Sequence, residues 1–322
     1  MRALVSATAL SAIIGAGVVV AAPAFAGTET ISINVSANQQ VGQQLTVSGQ
    51  VTGAPAEEMV SAERDDQAGT HTLPGAMTHD GGQYSFTDTP SVRGQVTYKV
   101  TVVDAAAATN QATVAVAGKP SGLRLSLGSR VVVTGHSEKV TAHVPSGPTN
   151  RSVTIYARPY GRDLREVDSG AVDVNGNRSV LVILHRRTTF SVHINGDAAY
   201  APTTVRRVAR VRAVLHERLQ GGYGHAGGFR LYHPGSNPSV FVQMLPRQRG
   251  MCLHFRAQHY YSGSWHNSTV SPCERTNADG QLIGVLTGNH VVGEPYRVRA
   301  EWRGNTALLA RHGTWLRLKF HR

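Results

Sequence analysis

The sequence predicts an all-β protein made of successive two-sheet sandwiches, and three observations carry that expectation. Short runs alternate apolar and polar residues with a period of two, as in "QLTVSGQVT", "YKVTVV" and "RSVTIYARPY", which is the pattern of half-buried strands. Glycine, proline, asparagine and aspartate punctuate these runs at regular intervals, and long helical patterns are missing. The chain of 322 residues exceeds what one small sandwich needs, so two or three domains are expected.

The N-terminus places Arg2 before a long apolar run that ends at Ala24-Phe25-Ala26. That order predicts a secretory signal peptide over residues 1–26, a mature chain beginning near Gly27, and an extracellular location. No later apolar run is long enough to span a bilayer.

Three segments can be laid over one another: "DGGQYSFTDTPSVRGQVTYKVTVV" from Asp80, "DVNGNRSVLVILHRRTTFSVHINGD" from Asp173, and "NADGQLIGVLTGNHVVGEPYRVRAEWRGN" from Asn277. Each reads as a glycine turn, a strand, a polar connection and a second strand opening near an aromatic residue, Tyr98, Phe190 or Tyr296. The turn glycines Gly82, Gly176 and Gly280 are spaced by 94 and 104 residues. Such periods match immunoglobulin-like sandwiches of about 100 residues, whereas solenoid repeats are shorter. The expected architecture is therefore three tandem immunoglobulin-like β-sandwich domains, over 27–118, 119–213 and 214–322. "AGKPSG" marks the first linker, and "RVARVRAVLHERLQGGYGHAGG" passes from a last strand into a glycine-rich opening. The expected core alternates along strands: Val47 and Val51, Val100 and Val102, Val153 and Ile155, Val180, Val182 and Leu184, Leu316 and Leu318.

The second copy, "DVNGN", has the alternating oxygens of a calcium loop. The glutamate that such a loop needs further on is replaced by "SVLVIL". What the copies share is a glycine able to take positive φ, so the reading is a hairpin turn.

The segment "VDVNGNRSVLVILHRRTTFSVHINGDAAYAPTTVR" resembles the secreted Ig-like domain repeat proteins of high-GC Gram-positive bacteria, through its turn, its "TTF" strand and its "GD..YAP" closing segment. "MCLHFRAQHYYSGSWHNSTVSPCERTNADGQ" and the later "YRVRAEW" are similar to a recurring partner module of that family. The resemblance implies an Ig-like fold and export. It brings no common enzymatic activity and no shared binding residues.

The chain has two cysteines, Cys252 and Cys273. In an exported protein the pair reads as a disulfide bracketing a strand, a Tyr-Ser-Gly-Ser turn and a returning strand. Nine of the fifteen histidines lie in the third domain. His254 and His266 sit on the two arms of that hairpin, where facing one another is geometrically open, but the spacing matches no metal motif, so the reading is scattered surface histidine. There is no G-x-S-x-G, H-E-x-x-H, P-loop or dinucleotide fingerprint. The carboxylate pairs Glu57-Glu58 and Asp65-Asp66 stand in polar loop context. No catalytic, cofactor-binding or metal-ligating residue is therefore nominated, and no cofactor is expected. A secreted hydrolase would need a site that the sequence does not display.

Charge is uneven. The first domain carries three basic and nine acidic residues, the second fifteen and six, the third thirteen and five. Nearly all the basic residues are arginine, which pairs bidentately with phosphate and carboxylate. In "VRRVARVR", Arg206, Arg210 and Arg212 share one strand parity and should project from one face. They are the candidate polyanion site, for cell-wall polymer, polysaccharide or extracellular DNA. The competing readings are protection of an edge strand and pairing with the acidic first domain. The function expected is a non-enzymatic extracellular binding or structural module, its partner an anionic polymer or another surface protein.

Overall fold

The computed structural model describes residues 29–53, 57–103 and 108–322; the expected signal peptide lies outside them. Every regular element among the described residues is a β-strand. The period-two reading holds where it is tested by burial. Strand Leu45–Thr52 turns Leu45, Val47 and Val51 inward, and strand Gly94–Val102 does the same with Val96, Tyr98, Val100 and Val102. Val153, Ile155, Val182, Leu184 and Leu318 are buried as expected, while Val180 and Leu316 are half-buried.

No sheet mixes strands from 30–117, 124–212 and 214–320, and each of these stretches forms a pair of sheets in the same order. In the middle stretch Arg124–Leu127, Ser137–His143 and Asn177–Ile183 make a three-stranded sheet. The opposing sheet runs Val131–Val133, Thr203–Arg212, Thr188–Ile194, Ser152–Pro159, Arg165–Ala171. Its first strand lies parallel to Thr203–Arg212, while Ser152–Pro159 pairs antiparallel with both Thr188–Ile194 and Arg165–Ala171. The parallel closure recurs in the other stretches, between Gln39–Gln40 and Thr109–Ala117 and between Phe229–Tyr232 and Leu316–Phe320. Two facing sheets joined by crossing connections are the immunoglobulin-like sandwich.

The glycine turns have a different job from the one the sequence suggests. Gly82, Gly176 and Gly280 have φ of 75°, 79° and 72°, so positive φ is required. The flanking strands, however, do not pair as a hairpin. Arg165–Ala171 belongs to the five-stranded sheet and Asn177–Ile183 to the three-stranded one, so the turn carries the chain across the sandwich. The same holds for Gly69–Met77 followed by Gln83–Asp88, and for Glu274–Arg275 followed by Gln281–Val285. Asp173 Oδ1 accepts from the amides of Asn175 (2.9 Å) and Asn177 (2.8 Å), and Asn277 Oδ1 accepts from Asp279 (3.0 Å) and Gln281 (2.8 Å). These are Asx turns, and they occupy the side-chain oxygens with backbone N–H groups. In the first copy the matching backbone bonds run from His79 to Gln83 and back from Gly82. The true counterpart of Asp173 is therefore His79, one residue before Asp80.

The described residues separate into two compact units. One holds the residues up to Gly122 with Val144–Arg151 and Ile194–Thr203. Within it Asp197 organises a loop: Oδ1 accepts from the amides of Ala199 and Tyr200, and Oδ2 from Thr149. Its partial burial opposes ionisation, but the hydrogen bonds from Tyr200, Ala199 and Thr149 hold its carboxyl well below the usual carboxylate range. The backbone of Arg93 and Lys119 is tied to Ala198 and Ala199. The other unit holds the remainder. Strand Thr203–Arg212 leads through buried Ala213 directly into strand Val214–Gln220.

Candidate functional site

Asp65 and Asp66 do not lie in a loop. They end strand Met59–Asp66, and the Asp66 side chain is fully buried against Arg64 Nε at 2.8 Å. Arg64 Nη1 donates to both carboxylate oxygens of Asp88 at 3.0 Å, and Tyr98 OH donates to Asp88 at 2.7 Å. Burial works against the Arg64 charge, yet its bonds to Asp88 raise its pKa, while burial followed by the Asp88 bond pushes the Tyr98 phenol up as well. One guanidinium thus pairs with two carboxylates, both turned away from solvent. This cluster is a structural lock.

The cysteines do join, Cys252 to Cys273, and the hairpin between them is the one expected. Cys252–Tyr261 returns as Ser264–Val270 through Ser262 and Gly263, whose φ values of 51° and 80° suit a type I′ turn. His266 lies opposite His259, not His254. His254 Nδ1 donates to the Ser271 carbonyl at 3.0 Å, and His266 stacks on Tyr261 at 4.0 Å. Among the described residues no group of three or more His, Cys, Asp or Glu is placed to hold a metal ion. No helix among them is long and apolar enough to cross a membrane.

Arg206, Arg210 and Arg212 are all exposed on strand Thr203–Arg212, while Ala209 and Val211 point inward. Arg207, on the opposite parity, is exposed as well, so exposure here does not follow strand parity alone. At 3.3 Å per residue, the stripe extends about 20 Å from Arg206 to Arg212. Among the described residues none of the three guanidinium groups is within ion-pair distance of a carboxylate. The strand is not a free edge: Arg210 lies beside Val131 and Arg212 beside Val133, with Thr188–Ile194 on the other side. Edge protection therefore does not account for Arg210 and Arg212. Arg210 also lines a cavity of about 220 Å³ with Arg187 and Asn305–Leu309. The walls there are joined by backbone bonds from Arg187 to Ala307 and from Leu309 to Val211.

A second basic face was not singled out by sequence reasoning. Strand Pro295–Trp302 buries Tyr296, Val298 and Ala300 and presents Arg297, Arg299 and Glu301 on the other side. Cross-strand partners extend this face, Arg256 opposite Arg299, Gln258 opposite Arg297, and Arg317 opposite Arg297. The Arg297 guanidinium lies 4.3 Å from the Trp265 ring and 4.4 Å from the Trp315 ring, and Arg299 lies 4.3 Å from Trp315. Arg297 Nε donates to Gln258 at 2.7 Å. Arg256 and Arg299 share Glu301, at 2.7 Å each. Burial disfavours the Glu301 charge, but the bonds from Arg256 and Arg299 lower its pKa; Arg297 is lowered by burial and then by Arg317 and Arg299. The signal was present in "YRVRAEW", where two arginines and a glutamate recur at a spacing of two. What the sequence lacked was the pairing that brings Trp265 and Trp315 beside them.

No family model and no curated protein matches the chain. Among the solved structures similar to this chain are three at low identity. A tetra-tandem repeat in the extending region of a large adhesion protein is 16% identical, covering 89% of this chain and 74% of that chain, with a TM-score of 0.47. A putative membrane-anchored protein from Corynebacterium diphtheriae is 11% identical over 90% of this chain and 91% of that chain, with a TM-score of 0.32. The ICAM-5 D1–D4 ectodomain fragment is 11% identical over 91% of this chain and 77% of that chain, with a TM-score of 0.39.

Proposed function

We propose that this chain is an exported, non-catalytic module of three tandem immunoglobulin-like domains, with limits near 27–118, 119–213 and 214–322. In this reading it holds an anionic extracellular polymer on the outward arginines of its second and third domains. The observation that carries the reading is the run Arg206, Arg210 and Arg212: three exposed guanidinium groups on one strand, with no carboxylate partner among the described residues. Unpaired arginines on one face present forked donors to carboxylate, sulfate or phosphate and attract polyanions at long range.

Retention of the mature chain on immobilised heparin under a salt gradient tests this. Counterion release makes such binding fall steeply with salt, so the chain should elute at high salt and the triple variant Arg206→Ser, Arg210→Ser, Arg212→Ser well before it. Elution of both at low salt leaves a spacer with no polyanion site.

A further inference from the structure

We propose that the outer face of strand Pro295–Trp302 recognises an acidic polysaccharide chain, whose anionic groups meet the terminal nitrogens of Arg297, while Arg299 turns its Nε and Nη2 to Glu301 and adds charge beside them. This rests on the polyanion reading and assigns a ligand class to the third domain's share of it.

The stack Trp265, Arg297, Trp315, Arg299 is built at ring-to-guanidinium distances of 4.3 to 4.4 Å. A guanidinium stacked on an indole spends its flat face and keeps its edge N–H groups for other partners. Arg297 uses only Nε, toward Gln258, so its terminal nitrogens donate to no protein acceptor among the described residues. Free arginine side chains lose rotamer entropy when a ligand orders them. Here the indoles have already ordered them, which is the condition for affinity from few contacts. The face has a cationic surplus, because Arg256 and Arg299 share one carboxylate while Arg297 and Arg317 have none among the described residues.

The same stack argues against nucleic acid. Single-stranded bases bind by lying on free aromatic faces, yet Trp315 carries two guanidinium groups and Trp265 carries Arg297, with Tyr260 tilted against it at 5.1 Å. A duplex is read by an element that enters a groove, and this surface is the face of a broad sheet. What remains is a flexible chain bearing carboxylate or sulfate that lies along the strands.

The test is calorimetric titration of the mature chain with heparin fragments, polygalacturonate and a thymidine oligonucleotide at matched ionic strength. Binding of both polysaccharides, with the oligonucleotide at least tenfold weaker, is expected. Arg297→Lys keeps the charge but removes the stacked fork, and Trp315→Leu removes the rack without touching charge. Each should weaken polysaccharide binding about tenfold in protein whose melting is otherwise cooperative. If Trp315→Leu does not fold, Arg297→Lys and the exposed Arg317→Ser carry the test. Equal affinity for the oligonucleotide overturns the proposal, as does unchanged affinity in Arg297→Lys. If only the Arg206, Arg210, Arg212 variant loses binding, the polyanion reading stands and the ladder is structural. If no probe binds, both fall.

Discussion

Glu217 sits on strand Val214–Gln220 with Oε1 accepting from the Ala300 amide, and its carboxylate lies where a side chain on Gly313 would be. Burial pushes its carboxyl up to about 7, against the pull of the Ala300 and Thr314 amides and of Arg299 and Arg311. The folded state thus prefers the protonated form. Its contribution is complete below about pH 4.5 and is lost as pH rises through 7. Calorimetric melting should show Glu217→Gln gaining on the parent between pH 5 and pH 8, by on the order of 3 kcal/mol at the upper end. Parallel melting curves across that range would show that the burial cost is relieved elsewhere. Asp197 works in the opposite sense. Its pKa is depressed, so its stabilisation is present above about pH 4 and is lost as pH falls. Asp197→Asn should cost about 1–3 kcal/mol at pH 7, as lost acceptors strand backbone donors. In urea unfolding the difference should begin to narrow below about pH 4 and close only as the pH falls through the folded-state pKa, which lies well below the usual carboxylate range. Neither role was legible in the sequence. A glutamate in "VLHERLQ" has ordinary strand parity, and its burial is decided by residues more than eighty positions away.

At the scale of the element, strand alternation was readable because it is written in consecutive residues, and so was the Tyr-Ser-Gly-Ser turn. Partnership was not readable, since the same glycine turn serves a hairpin or a crossing between sheets. The distinction has measurable consequences. Gly82 has no room for a side chain, since an added Cβ would lie 2.0 Å from the Val51 carbonyl oxygen, and its φ is also left-handed. Gly82→Ala should therefore cost about 2 kcal/mol or more by chemical unfolding. Gly69, also at positive φ but with nothing within 4 Å, should lose only the backbone contribution of about 1 kcal/mol on the same change. Equal losses would mean that the crossing yields without strain. Cys252 and Cys273 are 21 residues apart. Replacing both by Ala should lower stability by roughly 3 kcal/mol in the chain-entropy model. The basic ladder on Pro295–Trp302 was half legible: parity exposed its arginines, while the indoles came from strand order, which no local pattern encodes.

Across the whole molecule, the charge asymmetry was plain in composition, because counting charges needs no fold. What composition could not say is which arginines are spent within the protein. Arg178 binds Asp168 at 2.6 Å and Arg64 is buried, whereas Arg206, Arg210 and Arg212 remain outward. Neutralising spent and unspent arginines should thus separate two readouts. Arg178→Ser should leave heparin elution nearly unchanged, and the triple serine variant should shift it strongly, although each change removes only exposed or half-exposed charge.

The parallel closure repeated in all three sheet pairs has a mechanical meaning. In each, a strand near the start of the stretch lies alongside the last one and runs in the same direction. Tension applied to the two ends of such a stretch pulls these neighbours past each other lengthwise. Their cross-links then share the load and fail together, instead of opening one at a time as they would if peeled from one end. A chain tethered between a surface and a polymer would be loaded in this way, and its endurance would be set by the rate of forced unfolding.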